Sequence, residues 1–314
     1  MRLPVWNWGS IFEGMVLERE TVKELALRLG FDAVGVAPAA LLSGEVGYLK
    51  AWVEAGKQGS MAYMERNMEV RENPERLVPG VRSVIVTLTN YYSSCRQSEG
   101  VPRIALYARG KDYHEVIKKR LWLLLDSLCS LAPEVGGRCF VDSAPVLEHA
   151  WARRAGLGWQ GKNTLLIRKG LGSYCFIGVL MVTAEFDAYD QPFTASYCGT
   201  CTRCVEACPT GALTAGEVDA RKCISYQTIE NKGEYPEALK RLAGNRIFGC
   251  DACQEVCPWN KGVADHHIPD FLPSPEVMAL TAKDWETMSP GRFKALFQNT
   301  PLERTGLKRL KRNL

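Results

Sequence analysis

Apolar positions in residues 20–30 (ETVKELALRLG) recur at spacings of three and four, bringing Val22, Leu25, Ala26 and Leu29 onto one face. That pattern predicts an amphipathic helix, with Gly30 placed to end it in a left-handed turn. Residues 31–37 read as a strand, 48–55 as a second helix, and the unbroken apolar run 83–88 (SVIVTL), after the turn-forming Pro79-Gly80, as a buried strand. Further on, 114–131 reads as a long amphipathic helix, 138–141 as a strand, 145–155 as a helix, and 164–167 with 174–183 as two more strands. Mixed helix and strand make the first half α/β or α+β. Beyond Asp187 the chain turns rich in Cys, Gly, Pro and Thr until about Gly262, then becomes helical again through Trp285, Phe293 and Phe297. Three segments are therefore expected: 1–187, 188–262 and 263–314. The first helical pattern starts only near Glu20, so residues 1–14 read as a loosely attached extension, with Met15 as an alternative start.

Composition narrows the class. Hydrophobic residues at 46% and charged residues at 24% are ordinary for a globular protein. The longest apolar run, 175–182 (CFIGVLMV), falls far short of the roughly 20 residues that span a bilayer. Asn7, Gly9 and Glu13 interrupt the N-terminal apolar residues, which removes a secretory signal and predicts a cytoplasmic, reducing setting without membrane attachment. Net charge is only +4, yet the last thirteen residues (LERTGLKRLKRNL) hold Arg304, Lys308, Arg309, Lys311 and Arg312 against Glu303, which accounts for all of it. The bland reading of that run is a solvated terminal helix; the sharper one is a phosphate-facing patch.

Cysteine spacing carries the strongest chemical signal. Of twelve cysteines, eight crowd between Cys198 and Cys257. Cys198-x2-Cys201-x2-Cys204-x3-Cys208-Pro209 has the bacterial ferredoxin spacing, and a stretched copy follows as Cys223, then Cys250-x2-Cys253-x3-Cys257-Pro258. In two-cluster ferredoxins the fourth cysteine of each run ligates the other cluster. That crossing assigns Cys198, Cys201, Cys204 and Cys257 to one [4Fe–4S] cluster, and Cys208, Cys223, Cys250 and Cys253 to the second. Paired structural zinc sites also use C-x2-C, but they need neither the third interleaved cysteine nor the Cys-Pro. Cys95, Cys129, Cys139 and Cys175 lie outside the pattern and read as small buried apolar residues.

Two other features invite a chemical reading. Residues 156–161 match G-x-G-x-x-G, but a predicted helix precedes them and a strand follows, the reverse of a nucleotide loop. Gly156 is better read as a helix stop, and Gly161-Lys162-Asn163 as a tight turn whose backbone could approach a large planar ligand. Asp142 ends a strand just before Ser143-Ala144-Pro145, a place for a helix cap or for a catalytic acid.

Four stretches resemble one family, the epoxyqueuosine reductases of tRNA queuosine biosynthesis: Met64-Glu65-Arg66 with 77–80 (LVPG), 141–148 (VDSAPVLE), 155–163 (AGLGWQGKN), and 198–257 including Cys223-Ile224-Ser225-Tyr226. The resemblance implies a corrinoid-binding domain distantly like nitroreductases and reductive dehalogenases, followed by a ferredoxin-like domain with two [4Fe–4S] clusters. It further implies cobalamin held by Arg66, Asp142, Gly161, Lys162, Asn163, Ile224, Ser225, Asp251 and Ala252. Electrons would come singly through the clusters from an external donor, while Asp142 protonates the departing epoxide oxygen. Asp112-Tyr113-His114 begins like the D-x-H-x-x-G signature of histidine-ligated corrinoids, but Ile117 fills the glycine position, so a histidine-ligated cobalamin is not supported and His114 reads as a residue near a helix start. His149 stands where the family often has arginine, and no ligand role is assigned to it. The implied partner is tRNA carrying epoxyqueuosine at the wobble position, met by a monomer through Lys232, Lys308, Arg309, Lys311 and Arg312. Longer family members carry a helical-repeat domain, which a chain ending at Leu314 is expected to lack. Two competing readings are a corrinoid reductive dehalogenase and a ferredoxin-type carrier. Against the first, the Arg153-Arg154 pair lies inside a helix rather than in an export signal; against the second, about 187 residues precede the cysteines, more than a carrier needs.

Overall fold

The eight residues Ser83–Asn90 are all buried, and around this strand the computed structural model, which describes residues 16–314, builds a four-stranded sheet. Its strands are β1 (Ala33–Pro38), β2 (Ser83–Asn90), β3 (Gly137–Phe140) and β4 (Cys175–Val182), in the order β1-β2-β4-β3 with every pairing antiparallel. The expected extension 1–14 and Met15 lie outside the described residues. An all-antiparallel sheet resolves the fold class to α+β.

The unbroken apolar runs in β2 and β4 follow from helices covering both faces. On one face α1 (Arg19–Arg28) and α3 (Tyr113–Leu131) bury Val22, Ala26, Ile117, Leu121 and Leu124 against Ile85, Leu180 and Val182. On the other, α2 (Ser43–Glu54) and α4 (Glu148–Arg154) bury Val46, Ala150 and Trp151 against Val84, Val86, Val179 and Met181. Alternate residues of one strand thus serve opposite cores, as the two-residue strand period requires. Gly35 is needed where β1 meets the end of α4: a Cβ there would stand 2.0 Å from the Ala155 carbonyl oxygen.

The helix expected from Pro145 starts only at Glu148. Asp142 adopts φ of +51°, and Val146 N–H donates to the Ala144 carbonyl at 2.7 Å, so 142–147 turns back on itself before α4 begins. Asp142 is therefore no helix cap. The chain beyond β4 folds irregularly, with four-residue helices Arg203–Glu206 and Ala252–Glu255 each inside a cysteine motif. Residues 263–314 do not stand apart: Trp285, Phe293, Phe297, Leu302 and Leu310 share one core with Ile104, Ala108, Ile247 and Phe248. Among the described residues, no helix is long and apolar enough to cross a membrane.

Candidate active site

All eight motif cysteines are free thiols of intermediate exposure. Burial raises the Cys204 thiol, with Cys198 and Cys257 its nearest charged influences, while Cys257, also raised mainly by burial, feels Cys198 and Cys201. Burial also pushes Cys250 up to about 11, with Cys223 adding to it; Cys253 is raised by burial and then by Cys250 and Cys223, with Cys204 a smaller influence, and Cys223, raised mainly by burial, feels Cys208. Most of these influences run within the two crossed sets expected from the spacing, and that of Cys204 on Cys253 runs between them. Thiols raised mainly by burial are suited to a cationic cluster, which would draw off their protons.

Beside the first set lies a cavity of about 1390 Å³, and Arg66, Asp142, Gly161 and Lys162 all line it. The Gly161-Lys162-Asn163 turn is closed by Gly161 N–H donating to Leu165 O at 2.8 Å and Thr164 N–H donating to Gly161 O at 2.9 Å. Lys162 Nζ reaches from it to the Gly199 carbonyl at 2.7 Å, between Cys198 and Cys201. A second cavity of about 430 Å³ shares Asp142, Glu148, His149, Glu230 and Arg304 with the first and adds Ser225, Tyr226 and Cys175. Asp142 thus stands where the two meet.

Not every expected cofactor contact is brought there. Asn163 is buried behind the turn, its Oδ1 accepting from Leu165 N–H at 3.3 Å. Ile224 sits in a small core with Tyr235 and Ala243. Asp251 and Ala252 line neither cavity. Asp251 accepts from Leu106 N–H at 2.9 Å, with burial raising it to about 6, and the Ala252 amide bonds the Cys250 sulfur. Residues between the cysteines of a C-x2-C pair turn their amides toward sulfur, so this pair belongs to the second cluster's loop rather than to the cavity.

Around Asp142 the structure adds residues that local sequence reading missed. The Tyr113 hydroxyl donates to Asp142 Oδ2 at 2.5 Å, and the Asp142 backbone N–H donates to Glu148 Oε1 at 3.1 Å. The Asp142 side chain itself remains 66% exposed, toward the cavity. Burial, and then the nearby Asp142, raises Glu148 to about 8, so it is mainly protonated at neutral pH. His149 is exposed toward both cavities, and desolvation by the protein packed around its ring lowers it below the ordinary imidazole range; its Nδ1 lies 3.3 Å from Thr164 O. Tyr113 had appeared only as the middle of a corrinoid-like tripeptide, and Glu148 only as the end of VDSAPVLE. Arg304, counted in the tail charge, lines both cavities and pairs with Glu230 at 2.9 Å.

Comparison with known proteins decides what such a site belongs to. Residues 71–143 match the family described as epoxyqueuosine reductase QueG, DUF1730, and residues 197–260 match the 4Fe-4S double cluster binding domain. The epoxyqueuosine reductase of Leadbetterella byssophila is 45% identical over 293 residues, 93% of this chain and 96% of its own. The chain belongs to the epoxyqueuosine reductase family. A crystal structure of an epoxyqueuosine reductase with an epoxyqueuosine-modified tRNA-Tyr stem loop superposes with a TM-score of 0.84 at 32% identity, covering 94% of this chain and 79% of that one. The Bacillus subtilis enzyme, in a structure whose aspartate catalytic loop is swung out of the active site, gives 0.82 at 31% identity with the same coverages. Membership of this family, with both segments matched, decides against the dehalogenase and the simple carrier, and the double cluster binding domain over residues 197–260 brings two [4Fe–4S] clusters with it.

Within this family member the basic residues expected to face tRNA divide in two. Arg309 donates to Ile229 O at 2.6 Å, and Arg312 donates to the carbonyls of Gln227, Asn231 and Gly233 at 2.6 to 2.8 Å. These two guanidinium groups hold the end of the chain onto the insertion between Cys223 and Cys250. Lys311 reaches the Glu286 carbonyl at 3.0 Å from an exposed position, and Lys308 and Lys232 are exposed. Lys232 rides on the turn that Arg312 grips.

Proposed function

We infer that this chain reduces the epoxide of epoxyqueuosine at the wobble position of tRNA. Both carbon–oxygen bonds of the epoxide break, a carbon–carbon double bond forms, and the oxygen leaves as water after taking up two electrons and two protons. One observation carries the reading: Asp142 stands over the same cavity whose wall, through Lys162, is tied to the first cluster's loop. An electron route and a proton donor thus converge on one space.

We also propose that the space takes cobalamin. Two buried polar atoms on residues of its lining, Trp159 Nε1 and Arg71 Nε, lack hydrogen-bond partners. Leaving such atoms unpaired costs about 1–3 kcal/mol each, so a ligand rich in amides and planar edges fits the wall that is present. Arg66, Gly161 and Lys162 would hold it from this cavity and Ser225 from the adjoining one; Asn163, Ile224, Asp251 and Ala252 act from the layer behind. When bound, the corrinoid supplies a strongly reducing centre beside the substrate. The chain's own residues do the rest. Asp142 delivers a proton to the oxygen, Tyr113 fixes the Asp142 carboxyl, and Glu148 fixes its backbone. Lys232, Lys308 and Lys311 are proposed to meet tRNA phosphates, with Arg309 and Arg312 shaping that surface from beneath. The enzyme is read as a cytoplasmic monomer served by an external electron donor.

Anaerobically reconstituted protein with cobalamin, a low-potential reductant and tRNA carrying epoxyqueuosine should yield queuosine, seen by mass spectrometry of digested nucleosides as loss of one oxygen atom. Unchanged epoxyqueuosine under conditions where both clusters are reduced would overturn the reading.

A further inference from the structure

The reaction consumes two protons, and Asp142 holds one at a time. Its side chain is 66% exposed toward the main cavity, where cofactor and substrate would displace water. The structure provides another route for protons. His114 Nδ1 lies 2.6 Å from Asp112 Oδ1, and His114 Nε2 lies 3.7 Å from Asp142 Oδ2. Burial works against the Asp112 carboxylate, but its hydrogen bonds from His114 prevail and hold it below the usual carboxylate range. An ionised Asp112 can only accept, so the Nδ1 proton is fixed toward it and Nε2 is left facing Asp142. The imidazole is held flat by stacking on Tyr113, ring centres 4.1 Å apart, which in turn stacks on Phe176 at 4.3 Å.

His114 also sits on a boundary. Asp142 lines the two cavities already described but not a third, of about 310 Å³, whereas His114 lines that third cavity and neither of the others. The charged groups on its walls are Asp112, Glu115, Lys118 and Arg304, with Tyr107 beside them; Glu115 and Arg304 are exposed, so the space reaches solvent. We propose that Asp112 and His114 form a relay that recharges Asp142 from this side cavity, supplying the second proton of the reduction. After Asp142 has protonated the opening epoxide, the imidazolium passes its Nε2 proton to Asp142 and remains neutral with Nδ1–H held by Asp112. Water in the side cavity then restores the Nε2 proton, and the recharged Asp142 completes the departing water. Both electrons come from the reductant through the cofactors of the reading above, on which this inference rests.

His114→Ala in the reconstituted holoenzyme should lose about 10²-fold in turnover of epoxyqueuosine stem loop, the scale of general acid–base catalysis. Affinity for the stem loop and the cluster spectra should stay unchanged. Millimolar imidazole, which fits the enlarged side cavity, should restore at least tenfold. Asp112→Asn keeps a capping side chain but no longer fixes the tautomer, and should lose activity without losing fold. Turnover within twofold of wild type in His114→Ala, or a loss that imidazole leaves unmoved, overturns the relay. Absence of turnover in the wild type falls instead on the functional reading. The relay is then judged by nitrogen NMR of His114 in the oxidised protein, where Nδ1 should stay protonated and the titration midpoint should fall in Asp142→Asn; a midpoint indifferent to that change overturns it as well.

Discussion

Lys162 Nζ donates to the Gly199 carbonyl at 2.7 Å, and this bond joins a turn on the cavity wall to the loop between two cluster ligands, Cys198 and Cys201. Gly216 N–H donates to the Lys162 carbonyl at 3.0 Å, so the lysine is held at both ends. Because the contact is exposed, its loss should cost only about 1 kcal/mol, roughly fivefold in a rate or equilibrium. Lys162→Met should therefore shed iron from the first cluster about fivefold faster in the presence of a ferrous chelator, leaving the second at its wild-type rate. Equal rates for both clusters would detach the turn from the cluster loop.

Asp142→Asn keeps the shape of the side chain and can still accept from the Tyr113 hydroxyl, but it has no proton to give. Turnover should drop by about 10²–10⁴-fold while cobalamin binding and the cluster spectra persist. Tyr113→Phe removes only the fixing bond and should cost less, about tenfold, with a normal affinity for the stem loop. A Phe variant as impaired as the Asn variant would give Tyr113 more than an orienting part.

Glu148 offers a test in pH. Its carboxyl titrates near 8 in the folded protein against an ordinary 4.5, so the folded state binds the extra proton between those values and stability falls as pH rises through that window. Glu148→Gln keeps an oxygen for the Asp142 N–H and removes the titration. Solvent at the cavity wall screens part of the effect, leaving an expected gain of about 1–2 kcal/mol at pH 8 and none near pH 4. Thermal unfolding from pH 5 to 8.5 should show the variant's advantage growing with pH. A constant difference would mean that Glu148 is already ionised at neutral pH.

What was legible in the sequence is what repeats locally. Helix α3 lies at Tyr113–Leu131 against an expected 114–131, and Gly156 has the left-handed φ of +68° that a helix stop requires. Cysteine spacing likewise carried the double-cluster segment, because cluster geometry is written into short intervals. The remainder depends on contacts between distant residues. The left-handed Asp142 is held by a tyrosine 29 positions earlier, and Arg312 spends its guanidinium on carbonyls some 80 positions away. No local period signals either. A charge run looks the same whether it faces phosphate or binds its own backbone.

That last ambiguity gives the sharpest separation among the basic residues. Arg312→Gln gives up donations to Gln227, Asn231 and Gly233, so it should lower stability by about 2–3 kcal/mol, several degrees in unfolding temperature. Its effect on tRNA should come only through the loosened Lys232 turn. Replacing Lys232, Lys308 and Lys311 together with Gln disturbs one backbone contact, Lys311 to Glu286, and should leave the unfolding temperature within about a degree. If each lysine meets a phosphate, the slope of log affinity against log salt should flatten by about 2, since each neutralised phosphate contributes about 0.7–0.9. Anisotropy titrations of the stem loop at several salt concentrations measure both quantities. A triple variant with the wild-type slope would leave Lys232, Lys308 and Lys311 as solvated charges and move the tRNA-binding face elsewhere on the protein, with Arg304 at the cavity wall the first residue to examine.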